Sequence, residues 1–404
     1  MKKIHLDGTH RVRRPEETWA IIDGLRPAFG VTRVADATGL DSLGVPVAMA
    51  VRPAARTLPV SPGAGSSPLL ARISAVMESV ELWHAEYACP VPGITGTPAG
   101  ELGLPYDVRD LRQRAGSLLS ERTPLDWVAA ADAVSGAATW VPRPYVTIDH
   151  QVSDGWQPPL LHSSPHGLAG GNSYGEAVTH ALYELIERDC TVPAGPVATT
   201  AGRYCTASAA PAAAPPGRRV DPSTVDDPVC RATLGRITGA GAWTGITEVP
   251  NRWGLPCFVA DIRSEDFPGP AVGSGVHSSP AVALSRAVSG AVQSRLTAIT
   301  GVRDDPAVPP STPGSPGADR VPVQGAEHVP WREVAGPSRE FAEDTDEMRW
   351  LAGRVRELTG RPPVVVDLST ESAFSVVKVV ATGLADGDVT RHAAVRAPAP
   401  VAAS

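Results

Sequence analysis

The clearest periodicity follows Ser67, where Leu69, Ile73, Val76, Val80 and Trp83 recur at steps of four and three residues. At about 100° per residue these positions form one apolar stripe, so the spacing predicts an amphipathic helix. Ser67 followed by Pro68 supplies an N-cap hydroxyl and a proline at the first helical position, where no N–H is needed. Ser279 and Pro280 repeat that arrangement before a helix carrying Leu284, Val288, Val292 and Leu296 on one side. Another helix is predicted to open at Ser173, with Glu176 three residues on as in a capping box and Val178, Leu182 and Leu185 as its seam. Apolar runs at 45–51, 255–262, 363–368 and 374–381 read as strands alternating with these helices. The expected fold is α/β, with mixed sheets packed against helices and no repeat of 20 to 50 residues.

Composition changes this picture only locally. Gly and Pro number 39 and 41 in 404 residues, about a fifth of the chain, and they concentrate in a few places. Residues 206–219 and 306–320, with the tail 397–404, lack periodicity and large apolar groups, so they are expected to be surface insertions and a flexible end of one domain spanning 1–396. With 42% hydrophobic residues and a formal charge of −7, the chain can bury a large core and offers no electrostatic footprint for nucleic acid. No stretch reaches the 18 or so apolar residues of a membrane span, and the basic start has no apolar run behind it. Cys89, Cys190, Cys205, Cys230 and Cys257 are odd in number and too widely spaced for C-x-x-C pairs, so reduced thiols in a cytoplasmic protein are expected.

The chemistry concentrates on two of the helices. Ser74, Glu78 and Glu81 repeat at helical spacing away from the apolar stripe of the first, a pattern that on this helix alone reads as a solvated face. In the segment GLAGGNSYGEAVTHALYELIERD, from Gly167 to Asp189, Glu176, His180, Glu184 and Glu187 step along one face at four, four and three residues. Like charges at that spacing repel, so Glu184 and Glu187 call for a cation between them. Mg2+ suits this role because it takes carboxylate and phosphate oxygens together. Bland readings stand beside these: Glu176 as a cap, Arg188 as the partner of Glu184, His180 at the core edge, Arg295 as a solvated cation. The glycines before Asn172 match neither a P-loop nor a clean dinucleotide fingerprint.

Together with GTHR at Gly8 to Arg11, VTRVADATGLDSLGVPV from Val31 and QSRLTAITGVRDD from Gln293, these helices resemble the YcaO family over most of the chain. The resemblance implies a YcaO-type fold that binds ATP without a P-loop. It further implies that Ser74, Glu78, Glu81, Asn172, Glu176, Glu184, Glu187, Arg188 and Arg295 line the nucleotide site, with Glu78, Glu81, Glu184 and Glu187 holding Mg2+. Three positions depart from the family pattern: Ala64 stands where many relatives have Lys, Gly290 where they have Glu, and Leu82 where they often have Arg.

In this family ATP phosphorylates the oxygen of a backbone amide that a nucleophile has attacked. A substrate Cys or Ser gives an azoline, sulfide a thioamide, and an amine an amidine. The opening GTHR and VTRVADATGLD are most similar to the stand-alone, TfuA-associated branch, which implies thioamide formation on a ribosomal precursor peptide or protein. The same resemblance implies a TfuA-like or leader-peptide-binding partner; a homo-oligomer and a degenerate, non-catalytic scaffold remain open. The four carboxylates of the two helices are expected to converge on one cleft, with Glu86 lying outside it as an inert control position.

Overall fold

The computed structural model describes residues 1–6, 8–114, 116–149, 158, 160–191, 217–302 and 328–385. Seven helices lie among them: α1 Pro15–Leu25, α2 Pro68–Tyr87, α3 Arg143–Val146, α4 Tyr174–Thr191, α5 Pro228–Gly239, α6 Pro280–Thr300 and α7 Asp344–Thr359. The strands form four sheets. A hairpin pairs Ile4–Leu6 with Thr9–Arg11, and a three-stranded sheet joins Arg33–Asp36, Val47–Val51 and Val60–Ala64. A six-stranded sheet runs Ile94–Pro98, Pro124–Asp132, Val364–Asp367, Ser375–Val380, Leu168–Gly171, with Ala138–Pro142 branching off the second. A five-stranded sheet runs Phe267–Val276, Cys257–Ser264, Trp243–Glu248, Arg218–Val220, His328–Val329, and its last pair is parallel. The architecture is the expected mixed α/β, and all four predicted strands form within two residues of their expected bounds.

The helix starts follow their caps. Ser67 accepts the Leu70 N–H, and Ser173 accepts the Glu176 N–H. Ser279 also sits at the N-cap, but its side chain makes no cap hydrogen bond; its hydroxyl lies 3.3 Å from that of Ser338. The Glu176 carboxylate reaches back to the Asn172 N–H, one residue short of a full capping box.

What α2 buries differs from the predicted stripe. Val76 and Val80 are buried, but Leu69, Ile73 and Trp83 are only half-buried, and Ala71, Ala75 and Ser79 are buried as fully as the two valines. That face lies on Val60–Ala64, where a Cβ on Gly63 would come 2.1 Å from the Ala75 nitrogen. Helix α6 uses the same device: Ala283, Ala287 and Ala291 are fully buried, and a Cβ on Gly273 would come 2.2 Å from the Ala291 nitrogen. Large side chains on those faces would hold helix and strand apart, so the small residues set the spacing.

The first proline- and alanine-rich insertion ends earlier than expected. Arg218 and Arg219 belong to a strand, paired in register with Glu248 and Thr247, because the ladder and the Arg218–Glu248 ion pair give them backbone and charge partners. Residues 206–216, 306–320 and 397–404, with Cys205, lie outside the described residues. Cys89, Cys190, Cys230 and Cys257 are free thiols. Among the described residues no helix is long and apolar enough to cross a membrane.

Candidate functional site

The strand Leu168–Gly171 carries α2 on one side and leads into α4 through Asn172 and Ser173. Its glycines are packing devices. A Cβ on Gly170 would lie 2.5 Å from Met77 Cε and 3.0 Å from Glu81 Oε1, and one on Gly171 would lie 2.4 Å from the Ala177 nitrogen. Two helices therefore approach one strand closely enough for their polar faces to meet across it. The Gly170 N–H donates to Glu81 Oε1 at 2.6 Å, which fixes the α2 carboxylate over the strand.

Electrostatics join the two acidic faces. Desolvation raises the Glu81 pKa well above the ordinary carboxylate value; the Gly170 N–H opposes that shift, while Glu78 and Glu184 add to it. Glu187 is also raised, first by desolvation, with the Ser274 hydroxyl, Arg286 and Arg188 opposing and Glu184 adding. The Ser274 hydroxyl donates to Glu187 Oε1 at 2.6 Å. Glu184 is more exposed and accepts from Arg188 at 2.9 Å, the i,i+4 pair anticipated from spacing. Among the described residues no three His, Cys, Asp or Glu side chains form a ready-made metal cage.

The other expected residues divide. Ser74 is half-buried on α2. Asn172 accepts from the Thr18 hydroxyl and donates to Glu176, so its amide is committed to the protein. Glu176 is buried and accepts from Asn172 and from the Val12 N–H at 2.8 Å, which ties the N-terminal hairpin to α4. Arg295 is not brought to this group. It is 1% exposed, forks over Asp41 at 2.9 and 3.0 Å, and donates to Ser264 and Asp266.

Arg286, two and a half turns earlier on α6, faces the acidic group instead. Desolvation and Arg11 disfavour its charge, and Glu187 favours it. With Lys3, Arg11, His10, His180 and His277 it lines a pocket of about 400 Å3 beside Glu176. Burial lowers all three imidazoles, His10 to about 4, so they are neutral at pH 7. Thr179, 8% exposed, lines the same pocket with a hydroxyl that has no partner. His180 was singled out by its spacing on α4; the others escaped sequence reasoning because the N-terminal hairpin and α6 meet only in the fold. The one local signal was the phase of Arg286, set opposite the Leu284 seam.

Glu86 is not the inert position expected of it. It is 3% exposed and accepts from Arg52 at 2.5 and 2.8 Å, from Thr57 Oγ1, and from the N–H groups of Arg56 and Thr57. Neither its burial nor its partner, 34 residues earlier, was read from the sequence.

Residues 62–385 match the sequence model of YcaO, described as a YcaO cyclodehydratase, ATP- and Mg2+-binding. The chain belongs to the YcaO family. Two uncharacterized Mycobacterium tuberculosis proteins are 38% identical to it over 301 residues, covering 74% of this chain and 65% of theirs, just under two thirds of those relatives. A Rhizobium leguminosarum bv. trifolii protein of the tfuA 3′ region is 34% identical over 308 residues, covering 73% of this chain and 69% of its own. The YcaO fold is shared with a YcaO from Methanopyrus kandleri solved with AMPPCP and Mg2+, at TM-score 0.67 and 22% identity over 96% of this chain and 95% of that one. It is shared as well with a heterocyclase in complex with substrate and cofactor, at TM-score 0.71 and 16% identity over 95% of this chain and 55% of that one.

The residues of this YcaO chain suit a magnesium nucleotide. Desolvated carboxylates repelling one another gain from a divalent cation, and Mg2+ takes one or two of them plus phosphate oxygens without needing a protein cage. The unpaired Thr179 hydroxyl, among Lys3, Arg11 and Arg286, offers donors to a polyanion.

Proposed function

We propose that this YcaO protein is an ATP- and Mg2+-dependent enzyme that activates a backbone amide in a ribosomally synthesised peptide, with external sulfide as nucleophile and a thioamide as product. The observation that supports the reading is the electrostatic link between the two helices beside Leu168–Gly171, where Glu78 and Glu184 both act on Glu81 and Glu184 acts on Glu187. These carboxylates hold Mg2+, and Arg188, Arg11 and Arg286 neutralise phosphate oxygens. When bound, the magnesium nucleotide supplies the γ-phosphoryl group that turns the amide oxygen into a leaving group. The chain's own work is positioning and charge neutralisation, which is what phosphoryl transfer requires. Ser74, Asn172 and Glu176 frame the site, and Arg286 takes the part that the resemblance had given to Arg295.

The relative of the tfuA 3′ region supports sulfide as nucleophile and a TfuA-like partner. The family's description as a cyclodehydratase supports a second reading, azoline formation at the same site with a substrate Cys or Ser attacking. Ala64 and Gly290 favour a non-catalytic scaffold, but such a scaffold has no use for repelling, desolvated carboxylates. The enzyme is placed in the cytoplasm with its precursor peptide. Intact-mass measurement of candidate precursors after incubation with enzyme, ATP, Mg2+ and sulfide tests this: a gain of about 16 mass units is expected. A loss of about 18 establishes azoline or amidine chemistry instead, and unchanged mass with every candidate favours the scaffold.

A further inference from the structure

A second pocket, of about 500 Å3, is lined by Leu185 and Arg188 of α4. Leu185 stands about 180° around the helix from Glu176, so this pocket opens on a different side from the histidine pocket. Arg112, His166 and Thr382 supply further polar lining, and Leu111 and Val379 supply apolar wall. Among the described residues that line it, the acid is Asp110, which is paired with Arg361. Lys378, 1% exposed, lies behind the wall with its ammonium donating to the carbonyls of Ser164 and His166 at 2.6 and 2.7 Å. Thr382 is 5% exposed, and its hydroxyl has no hydrogen-bond partner. A buried hydroxyl left unpaired in a pocket walled by guanidinium groups is a donor without its acceptor.

We propose that this pocket is an anion site, which takes a small anion between Arg112, Arg188 and the Thr382 hydroxyl, beside the carboxylates but separate from the magnesium nucleotide. The positive field there is visible in His166, held below its ordinary pKa by burial and then by Arg188, Arg112 and Lys378. Arg188 joins the two sites, since it also donates to Glu184. Only the identity of the anion rests on the function proposed above: it is the external sulfur nucleophile as hydrosulfide, or the inorganic phosphate that departs. The apolar wall suits the softer, more weakly hydrated hydrosulfide.

Calorimetric titration of the full chain with inorganic phosphate and, without oxygen, with sodium hydrosulfide tests this in the absence of ATP and peptide. Saturable binding of either anion is expected; hydrosulfide binding assigns the nucleophile, and phosphate binding alone assigns the product. Arg112→Gln should weaken binding about tenfold and Thr382→Val a few-fold. Thr382→Val should leave the magnesium ATP affinity within about twofold and leave thermal stability equal or higher, because it removes an unpaired buried hydroxyl. Three results overturn the proposal: neither anion binds at millimolar concentration, both variants bind as the wild type does, or Thr382→Val weakens ATP as much as the anion. Failure of the thioamide reading shows separately, in the product mass.

Discussion

Two carboxylates of α2, five residues apart, live in opposite electrostatic worlds. Glu86 is pushed up by burial, but the hydrogen bonds from Arg52, Thr57 and Arg56 outweigh that and bring its pKa below the ordinary value. Glu81 accepts one backbone hydrogen bond, and desolvation, with Glu78 and Glu184 adding and Arg11 opposing, raises its pKa. Helical position separates them: at about 100° per residue they point some 140° apart, one toward the loop after Val47–Val51 and one toward Leu168–Gly171. A carboxylate satisfied by its own protein stabilises the fold; one desolvated among like charges is one whose ionisation a bound cation would favour.

The largest expected effect of breaking this contrast is on stability. Glu86→Gln leaves the Arg52 charge buried without its partner and should cost about 3–5 kcal/mol in chemical unfolding. Glu81→Gln, by contrast, removes a source of repulsion, and the free protein should be as stable as the wild type or more so.

The pH dependence of unfolding sharpens the same contrast. Glu81 has a raised folded pKa, so its contribution is complete below about 4.5 and is lost as pH rises through the folded pKa. Glu86 has a depressed folded pKa, so its contribution is present above about 4.5 and is lost as pH falls through the folded pKa. Glu81→Gln should therefore flatten the fall in stability above pH 4.5, and Glu86→Gln should flatten the fall below it. Saturating ATP with Mg2+ should mimic the first variant, since a bound cation favours the ionised carboxylate. The smallest effect is expected at Glu357, an exposed partner of Arg354 on α7, where Glu357→Gln should change stability by less than about 0.5 kcal/mol.

Local chemistry was the legible part of this fold. Ser67–Pro68, Ser173 and Ser279–Pro280 mark helix starts within a few residues of sequence, and the spacing of Glu78, Glu81, Glu184 and Glu187 marks two acidic faces. Packing at a distance was not legible. The inner face of α2 is decided by Gly63 on a neighbouring strand, which favours Ala71 and Ala75 over the bulkier stripe. Arg286 and Arg295 look alike in sequence; Asp41, some 250 residues away, neutralises one and leaves the other facing Glu187. Glu86 seemed peripheral because its partner Arg52 lies on a segment whose return path only the sheet defines.

The central claim is that the carboxylates of α2 and α4 together hold a magnesium nucleotide. Calorimetric titration of ATP into wild type and Glu187→Gln, each with and without Mg2+, tests it most directly. Glu187→Gln keeps the side chain's shape and its contact with Ser274 but removes the charge. Wild type should bind ATP only with Mg2+, and Glu187→Gln should lose about tenfold or more in affinity while its unfolding transition stays intact. Equal affinities in the two proteins, or wild-type binding indifferent to Mg2+, would contradict the account.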